Sequence, residues 1–182
     1  MTTIIETGRL VLRELTDEDH AGLFELYQEP EVHRFIGGPP APFEEFMAAA
    51  RERWPAYYRE HGFGLWATVR KADGALLGRV GLLAQEIDGE REVEVGYALG
   101  RPFWGRGYAL EAARACRDWA FRNLGVPHVI SLILPENERS IRVAERNGMT
   151  LWKMADFKQY RVRVYRITRE EWERLAPADG AG

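Results

Sequence analysis

The segment Arg101-Pro-Phe-Trp-Gly-Arg-Gly-Tyr-Ala-Leu-Glu111 holds the residue types and spacing best suited to chemistry. It leads out of an alternating stretch, Glu92–Leu99, directly into the longest helical pattern of the chain, Gly107 to Leu124. Gly105 and Gly107 allow a sharp turn and a close approach of backbone to a ligand. The amides and the positive end of the following helix would then face an anion. A phosphate or pyrophosphate is the natural guest, although a tight strand-to-helix turn without a ligand would use the same residues. No Gly-Lys-Ser/Thr is present, so this is not a Walker A loop. A dinucleotide fold wants an acidic residue about 20 positions beyond the glycines. Trp119 to Pro135 contains no Asp or Glu, which disfavours NAD(P).

A second group of candidates surrounds that loop. Glu94 lies on the strand face that also carries Glu92, Gly96 and Ala98, while Val93, Val95, Tyr97 and Leu99 form the apolar face. Small residues beside a carboxylate leave room for a ligand, so Glu94 is a candidate general base; a solvated strand face is the alternative. Asn137 is well placed to cap a helix, and Ser140 could hydrogen-bond backbone within its first turn. Cys116 sits mid-helix on an apolar stripe, far from the helix N-terminus that would lower its pKa, and reads as core. His20, His33, His61 and His128 lack ligand spacing, and no metal site is expected.

The elements that position these residues follow from periodicity. A strand is expected over Arg9–Leu15. A helix starting at Thr16 carries Leu23, Phe24, Leu26 and Tyr27 and closes at Pro30. A second helix runs from Pro42 or Phe43 to about Arg53, and Pro55 breaks or kinks it before a further turn ending at His61-Gly62. Phe63–Arg70, Leu76–Leu83 and Glu92–Leu99, joined at Asp73-Gly74 and Asp88-Gly89, form an antiparallel meander. The long helix is capped near Gly125. The wholly apolar Val129–Leu134 reads as a buried central strand. A helix from Asn137 ends at Gly148, a short strand is possible at Thr150–Met154, and Tyr160–Ile167 is a late strand. Thr168 and Glu171 form a capping box for a last helix. The crossover through the long helix should set Glu92–Leu99 and Val129–Leu134 side by side and parallel. The expected fold class is α+β: a mixed, mostly antiparallel sheet with one parallel strand pair and helices on both faces.

With 182 residues, one domain over residues 1–176 is expected, followed by a loose tail, Pro177–Gly182. The net charge of −3 shows no basic footprint for nucleic acid. No apolar run approaches a membrane span, and residues 1–20 lack a signal-peptide core. One cysteine excludes an intrachain disulfide and fits a reducing, cytoplasmic setting.

Trp104-Gly-Arg-Gly-Tyr-Ala109 resembles the pyrophosphate loop of the GNAT acetyltransferases, Gln/Arg-x-x-Gly-x-Gly/Ala, matching at Gly107 and Ala109 with Trp104 in place of Gln or Arg. That variant looks like the RimJ/RimL-like branch, which modifies ribosomal-protein N-termini and related amines. Thr7-Gly-Arg-Leu-Val-Leu-Arg13 resembles its opening strand and Glu94-Val-Gly-Tyr97 its fourth. Asn137-Glu-Arg-Ser140, followed by Glu145-Arg-Asn-Gly-Met149, resembles its Asn-x-x-Ser helix. The resemblance spans residues 7 to about 172. It implies acetyl-CoA as acyl donor, a primary amine as acceptor (a protein N-terminus or a small molecule), and a monomer or homodimer. It also implies that the parallel strands splay apart around the pantetheine arm. The residues it assigns to the cofactor are Tyr97, Ala98, Leu99, Trp104, Gly105, Arg106, Gly107, Tyr108, Ala109 and Asn137. Many members place a tyrosine general acid seven residues after this Asn; Ala144 stands there, which leaves Ser140 as the nearest substitute. Tyr27, Phe35 and Tyr57 lie where relatives receive the acceptor. An acetyltransferase, a non-catalytic acyl-CoA-binding sensor of the same fold, and an unrelated phosphate binder sharing only the loop are the competing readings.

Overall fold

The computed structural model describes residues 2–175, and the expected loose tail from Pro177 lies outside the described residues. The elements run β1 (Thr3–Glu6), β2 (Leu10–Arg13), α1 (Asp17–Tyr27), α2 (Pro30–His33), α3 (Phe43–His61), β3 (Leu65–Arg70), β4 (Leu76–Ile87) and β5 (Glu90–Leu99). After a 3-10 turn at Arg101–Phe103 come α4 (Tyr108–Asn123), β6 (His128–Ile133), α5 (Glu138–Arg146), β7 (Thr150–Phe157), β8 (Tyr160–Thr168) and α6 (Arg169–Leu175). The strands form one sheet in the order β1-β2-β3-β4-β5-β6-β8-β7. Every neighbouring pair is antiparallel except β5–β6, which is parallel. Among the described residues no helix is long and apolar enough to cross a membrane.

The alternation of β4 and β5 divides the core. Val80, Leu82, Val95 and Leu99 meet Ala112, Ala113, Cys116 and Ala120 of α4 on one face. Ala98 packs with Leu23, Tyr27 and Val32 of α1 and α2 on the other. On that second face α3 sets Ala50 and Trp54 against Leu65. A smaller cluster of Ile87, Ile130, Ala155, Val162 and Val164 forms where the β4–β5 hairpin folds back over the β7–β8 end, held there by an ion pair between Lys153 and Asp88 of 2.6 Å.

Several expectations need correction. The opening strand is shorter than Arg9–Leu15, and a further strand, β1, precedes it; β1 has four residues and buries only Ile5, so it carries no readable alternation. Pro30 starts the one-turn helix α2 as its first residue rather than merely ending α1. Pro55 neither breaks nor ends α3, which is continuous to His61. The carbonyl of Arg51, which loses its partner there, lies with Pro55 on the exposed side, where water can replace the bond. The meander strands run on to Ile87 and start again at Glu90, around a two-residue turn with φ of 52° at Asp88 and 82° at Gly89. Thr150–Met154 extends to Phe157.

The start of α1 shows how local signals lock into the sheet. Thr16 caps the helix and Asp19 returns the bond to the Thr16 amide, a capping box. The same carboxylate takes both ends of the Arg13 guanidinium from β2, at 2.5 and 2.9 Å. Burial works to raise the Asp19 pKa, but the bonds from Arg13 and Thr16 outweigh it and hold it below the usual carboxylate range. Asp19→Ala removes the returning half of the capping box and strands Arg13, and we expect a loss of roughly 3 kcal/mol at neutral pH. Because the folded pKa is depressed, the stabilisation is complete above about pH 4 and is lost as pH falls through the folded value. Urea unfolding of both proteins at neutral and acidic pH checks this: the gap between them should close on acidification.

Candidate active site

β5 and β6 share a single bridge, Glu94–Ile130. Beyond it the hydroxyl of Ser131 donates to the Val95 carbonyl at 2.8 Å, in place of a continuing ladder. The Gly100 amide donates to Leu77 of β4 at 2.8 Å, so even-numbered residues of β5 point their backbone groups at β4. Odd-numbered ones point the other way, as the Val95 carbonyl does and as the Leu99 carbonyl does in accepting from the Trp104 indole at 2.8 Å. By that alternation the N–H groups of Tyr97 and Leu99 face the gap where β6 has diverged.

The glycine loop closes the top of this gap. Gly105 and Gly107 adopt φ of 73° and 79°, a conformation that disfavours other residues. Gly107 is the N-cap of α4 and supplies no side-chain cap, which leaves the amides of Tyr108, Ala109 and Leu110 free to meet an anion. The loop is braced from behind. Glu111 accepts from the Thr7 hydroxyl (2.7 Å), the Arg9 amide (2.9 Å) and the Arg9 Nε (2.6 Å). Arg9 also donates to the Arg106 carbonyl at 3.0 Å and lies over the Tyr108 ring. Although partial burial tends to raise the Glu111 pKa, these bonds hold it below the usual value. Thr7, Arg9 and Glu111 lie in separate motifs, and nothing local in the sequence links residues a hundred positions apart. Arg101 pairs with Glu31, tying the loop to α2. Arg139, at the start of α5, stacks 4.4 Å over Trp104. With Glu29, Arg101 and Pro102 these two line a groove of about 370 Å³ beside the loop. A second depression of about 360 Å³, between β1 and the far end of α4, is remote from these residues.

Glu94 lies on the face opposite α4, at the point where β5 and β6 part. Its neighbour Glu92 is buried against His128 at 2.6 Å. Gln85 donates to Glu94 at 2.6 Å. Burial pushes the Glu94 pKa up, against the opposing pull of Gln85, the Leu132 amide and the charge of Lys158. A carboxyl raised in this way is closer to a useful base near neutral pH.

Asn137 caps α5 by accepting from the Ser140 amide at 3.2 Å. The Tyr97 hydroxyl donates to the Ser140 carbonyl at 2.9 Å, so this side chain spans from β5 to α5 beside the gap. Burial raises the Tyr97 pKa, so the phenol stays protonated as a donor. The position seven residues after Asn137, Ala144, is buried in the core. Of the expected acceptor residues, Tyr57 is half-buried on α3, and its oxygen accepts from the Ala84 amide at 2.6 Å. Tyr27 is buried at 3 % exposure beside Ala98. Phe35 lies on the α2–α3 connection under Arg34. Cys116 is fully buried, which raises its pKa and makes the thiol inert.

The profile of the acetyltransferase (GNAT) domain matches residues 9–150. The chain is 38% identical over 152 residues to the uncharacterized protein YkkB of Bacillus subtilis, covering 81% of this chain and 85% of that one. The structure superposes on an acetyltransferase from Agrobacterium tumefaciens with a TM-score of 0.79 and 31% identity, covering 93% and 95% of the two chains. It also superposes on the aminoglycoside acetyltransferase AAC(6')-Ib in complex with coenzyme A and kanamycin, with a TM-score of 0.76, 16% identity and coverage of 92% and 99%, a likeness of fold. A sheet opened at one parallel pair, a braced glycine loop above the opening, and a profile spanning most of the chain carry one conclusion: this protein belongs to the acetyltransferase (GNAT) family.

Proposed function

We propose that the protein transfers an acetyl group from acetyl-CoA to a primary amine by direct attack in a ternary complex. The observation that carries this reading is the line formed by the loop, the open edge of β5 and Glu94. We place the chain in the RimJ/RimL-like branch, on the Trp104 variant of the loop and its coupling through Glu111 to Thr7 and Arg9.

The residues fit acetyl-CoA. Gly105, Arg106, Gly107, Tyr108 and Ala109 would hold the pyrophosphate with the uncapped amides of α4. A side chain at Gly107 would be strained by φ, and its Cβ would touch Arg9, whose Nη2 lies 3.4 Å away. The N–H groups of Tyr97 and Leu99 would pair with the pantetheine arm beside Ala98, with Trp104 and Asn137 at its flanks. Acetyl-CoA supplies, when bound, an acetyl group activated as a thioester.

The chain supplies the rest. An ammonium has no lone pair with which to attack, so Glu94 takes its proton, directly or through a water. The neutral nitrogen bonds to the acetyl carbon over Gly96, and an open N–H of β5 stabilises the oxygen that becomes negative. The carbon–sulfur bond then breaks, and the second proton shed by the nitrogen goes to the departing sulfur. A thiolate with a pKa of roughly 8.5 needs modest help to leave, which a hydrogen bond from the Ser140 hydroxyl can provide. This is compatible with alanine at position 144.

Gly107→Val should abolish CoA binding in calorimetry while the protein stays folded; unchanged affinity in a folded variant removes the loop from the site. Glu94→Gln should lower the rate about 10²–10⁴-fold with CoA saturating and erase the acid limb of the pH–rate profile. Ser140→Ala should cost less. Since the folded pKa of Glu94 is raised, its contribution to stability is complete below the unfolded value and declines as pH rises towards the folded one. Glu94→Gln should therefore be at least as stable as the unmutated protein at neutral pH, which separates lost chemistry from lost folding. CoA binding without thiol release across an amine panel would overturn the enzymatic reading.

A further inference from the structure

We propose that the acceptor amine also carries a carboxylate, which pairs with Arg79; this rests on the amine-acetylation reading above. The cross-strand rows on the face opposite α4 define the position. Arg13, Ala67, Arg79 and Ala98 form one row across β2 to β5. Leu65, Gly81 and Gly96 form the next, and Leu83 and Glu94 the one after. The first row therefore contains two cations. Arg13 is engaged by both oxygens of Asp19. Among the described residues Arg79 has no carboxylate within ion-pairing distance, and its buried Nε has no partner.

The side chain of Arg79 is nevertheless held in place. Its guanidinium carbon lies 5.3 Å from the centre of the Tyr27 ring and 5.4 Å from that of Trp54, between α1 and α3. Tyr27, at 3 % exposure, has a buried hydroxyl that also lacks a partner among the described residues. Two unmet donors thus occur in one place, one of them charged. His20 is buried on the same helix, and burial drives its imidazole towards the neutral form despite Asp17 and Asp19 nearby, so it neither adds nor cancels charge. A cation partly withdrawn from water without a counter-charge is unfavourable until one arrives. A guanidinium packed on aromatic faces keeps its fork rigid and aligned for a carboxylate.

Spacing sets the class of ligand. Successive rows on one face are about 6.7 Å apart, so Arg79 stands about 13 Å along the strands from Glu94, with the Gly81–Gly96 row between them. An amine poised over Gly96 places an anionic group several bonds away at Arg79. An ω-amino acid satisfies this. A purely cationic acceptor, such as a polyamine or an aminoglycoside, offers Arg79 nothing.

The test compares 6-aminohexanoate with its uncharged twin, 6-aminohexanamide, on the unmutated protein with acetyl-CoA saturating and thiol release as readout. We expect kcat/KM to favour the acid at least tenfold, chiefly through KM. Arg79→Met should bring the acid down to the level of the amide, Arg79→Lys should restore part of the preference, and Tyr27→Phe should reduce it several-fold. Calorimetry of the same pair against CoA-saturated protein reads the preference without turnover. Equal values for acid and amide on the unmutated protein, or a preference that survives Arg79→Met, would overturn the proposal. Turnover of both probes without preference leaves acetyl transfer standing and removes the role of Arg79. An Arg79-dependent preference in binding without turnover supports the anion site, and the enzymatic reading falls with it when the wider amine panel also gives no thiol release.

Discussion

The rest of the structure depends on where β5 and β6 stop pairing. A parallel pair normally satisfies both inner edges continuously, yet these strands share one bridge, at Glu94–Ile130. The hydroxyl of Ser131 and the indole of Trp104 satisfy the carbonyls of Val95 and Leu99, which would otherwise be orphaned. The amides of Tyr97 and Leu99 are left facing the opening. A polar backbone edge inside a sheet is unfavourable unless something pairs with it, so the opening is itself an argument for an extended, amide-bearing ligand.

Two carboxylates hold the surrounding frame, and a third, Glu94, stands apart from it. Glu111 gathers Thr7 and Arg9 and so fixes the first turn of α4, and the glycine loop above it, against the β1–β2 corner. Asp19 likewise fixes α1 to β2 through Arg13. In both, hydrogen bonds to the charged form outweigh burial and depress the pKa. Glu94 has Gln85 and one backbone amide for support, burial prevails, and its pKa rises. The same side chain ends with a depressed or a raised pKa according to how many donors surround it.

The two faces of the sheet divide the work. The face under α4 is an apolar core that fixes the helix whose N-terminus closes the loop. On the opposite face the helices α1 and α3 stand over a floor containing Gly81, Gly96 and Ala98, with Arg79 and Glu94 two rows apart. Small residues in that floor lower it, and the aromatic residues Tyr27, Trp54 and Tyr57 supply walls.

Most of the architecture was legible in the sequence because its signals are local. Alternation marked β3 to β5, the Asp88-Gly89 pair marked a tight turn, Thr16 and Asn137 marked helix starts, and an unbroken apolar run marked β6 as central. The glycines at 105 and 107 announced a loop that could approach a phosphate, and the parity of β5 put Glu94 and Gly96 on one face. Strand β1 was illegible because four residues with one buried side chain carry no period. The continuity of α3 through Pro55 was illegible because it depends on which side of the helix meets water. The brace of Thr7, Arg9 and Glu111, the reach of Tyr97 to α5, the pairing of Glu92 with His128, and the isolation of Arg79 beside an engaged Arg13 were decided by tertiary structure. Each depends on side chains from strands and helices far apart in sequence meeting in one row or at one helix end. Local pattern specifies the face on which a residue lies; only the packed fold determines which partner waits there, and whether a charge is left without one.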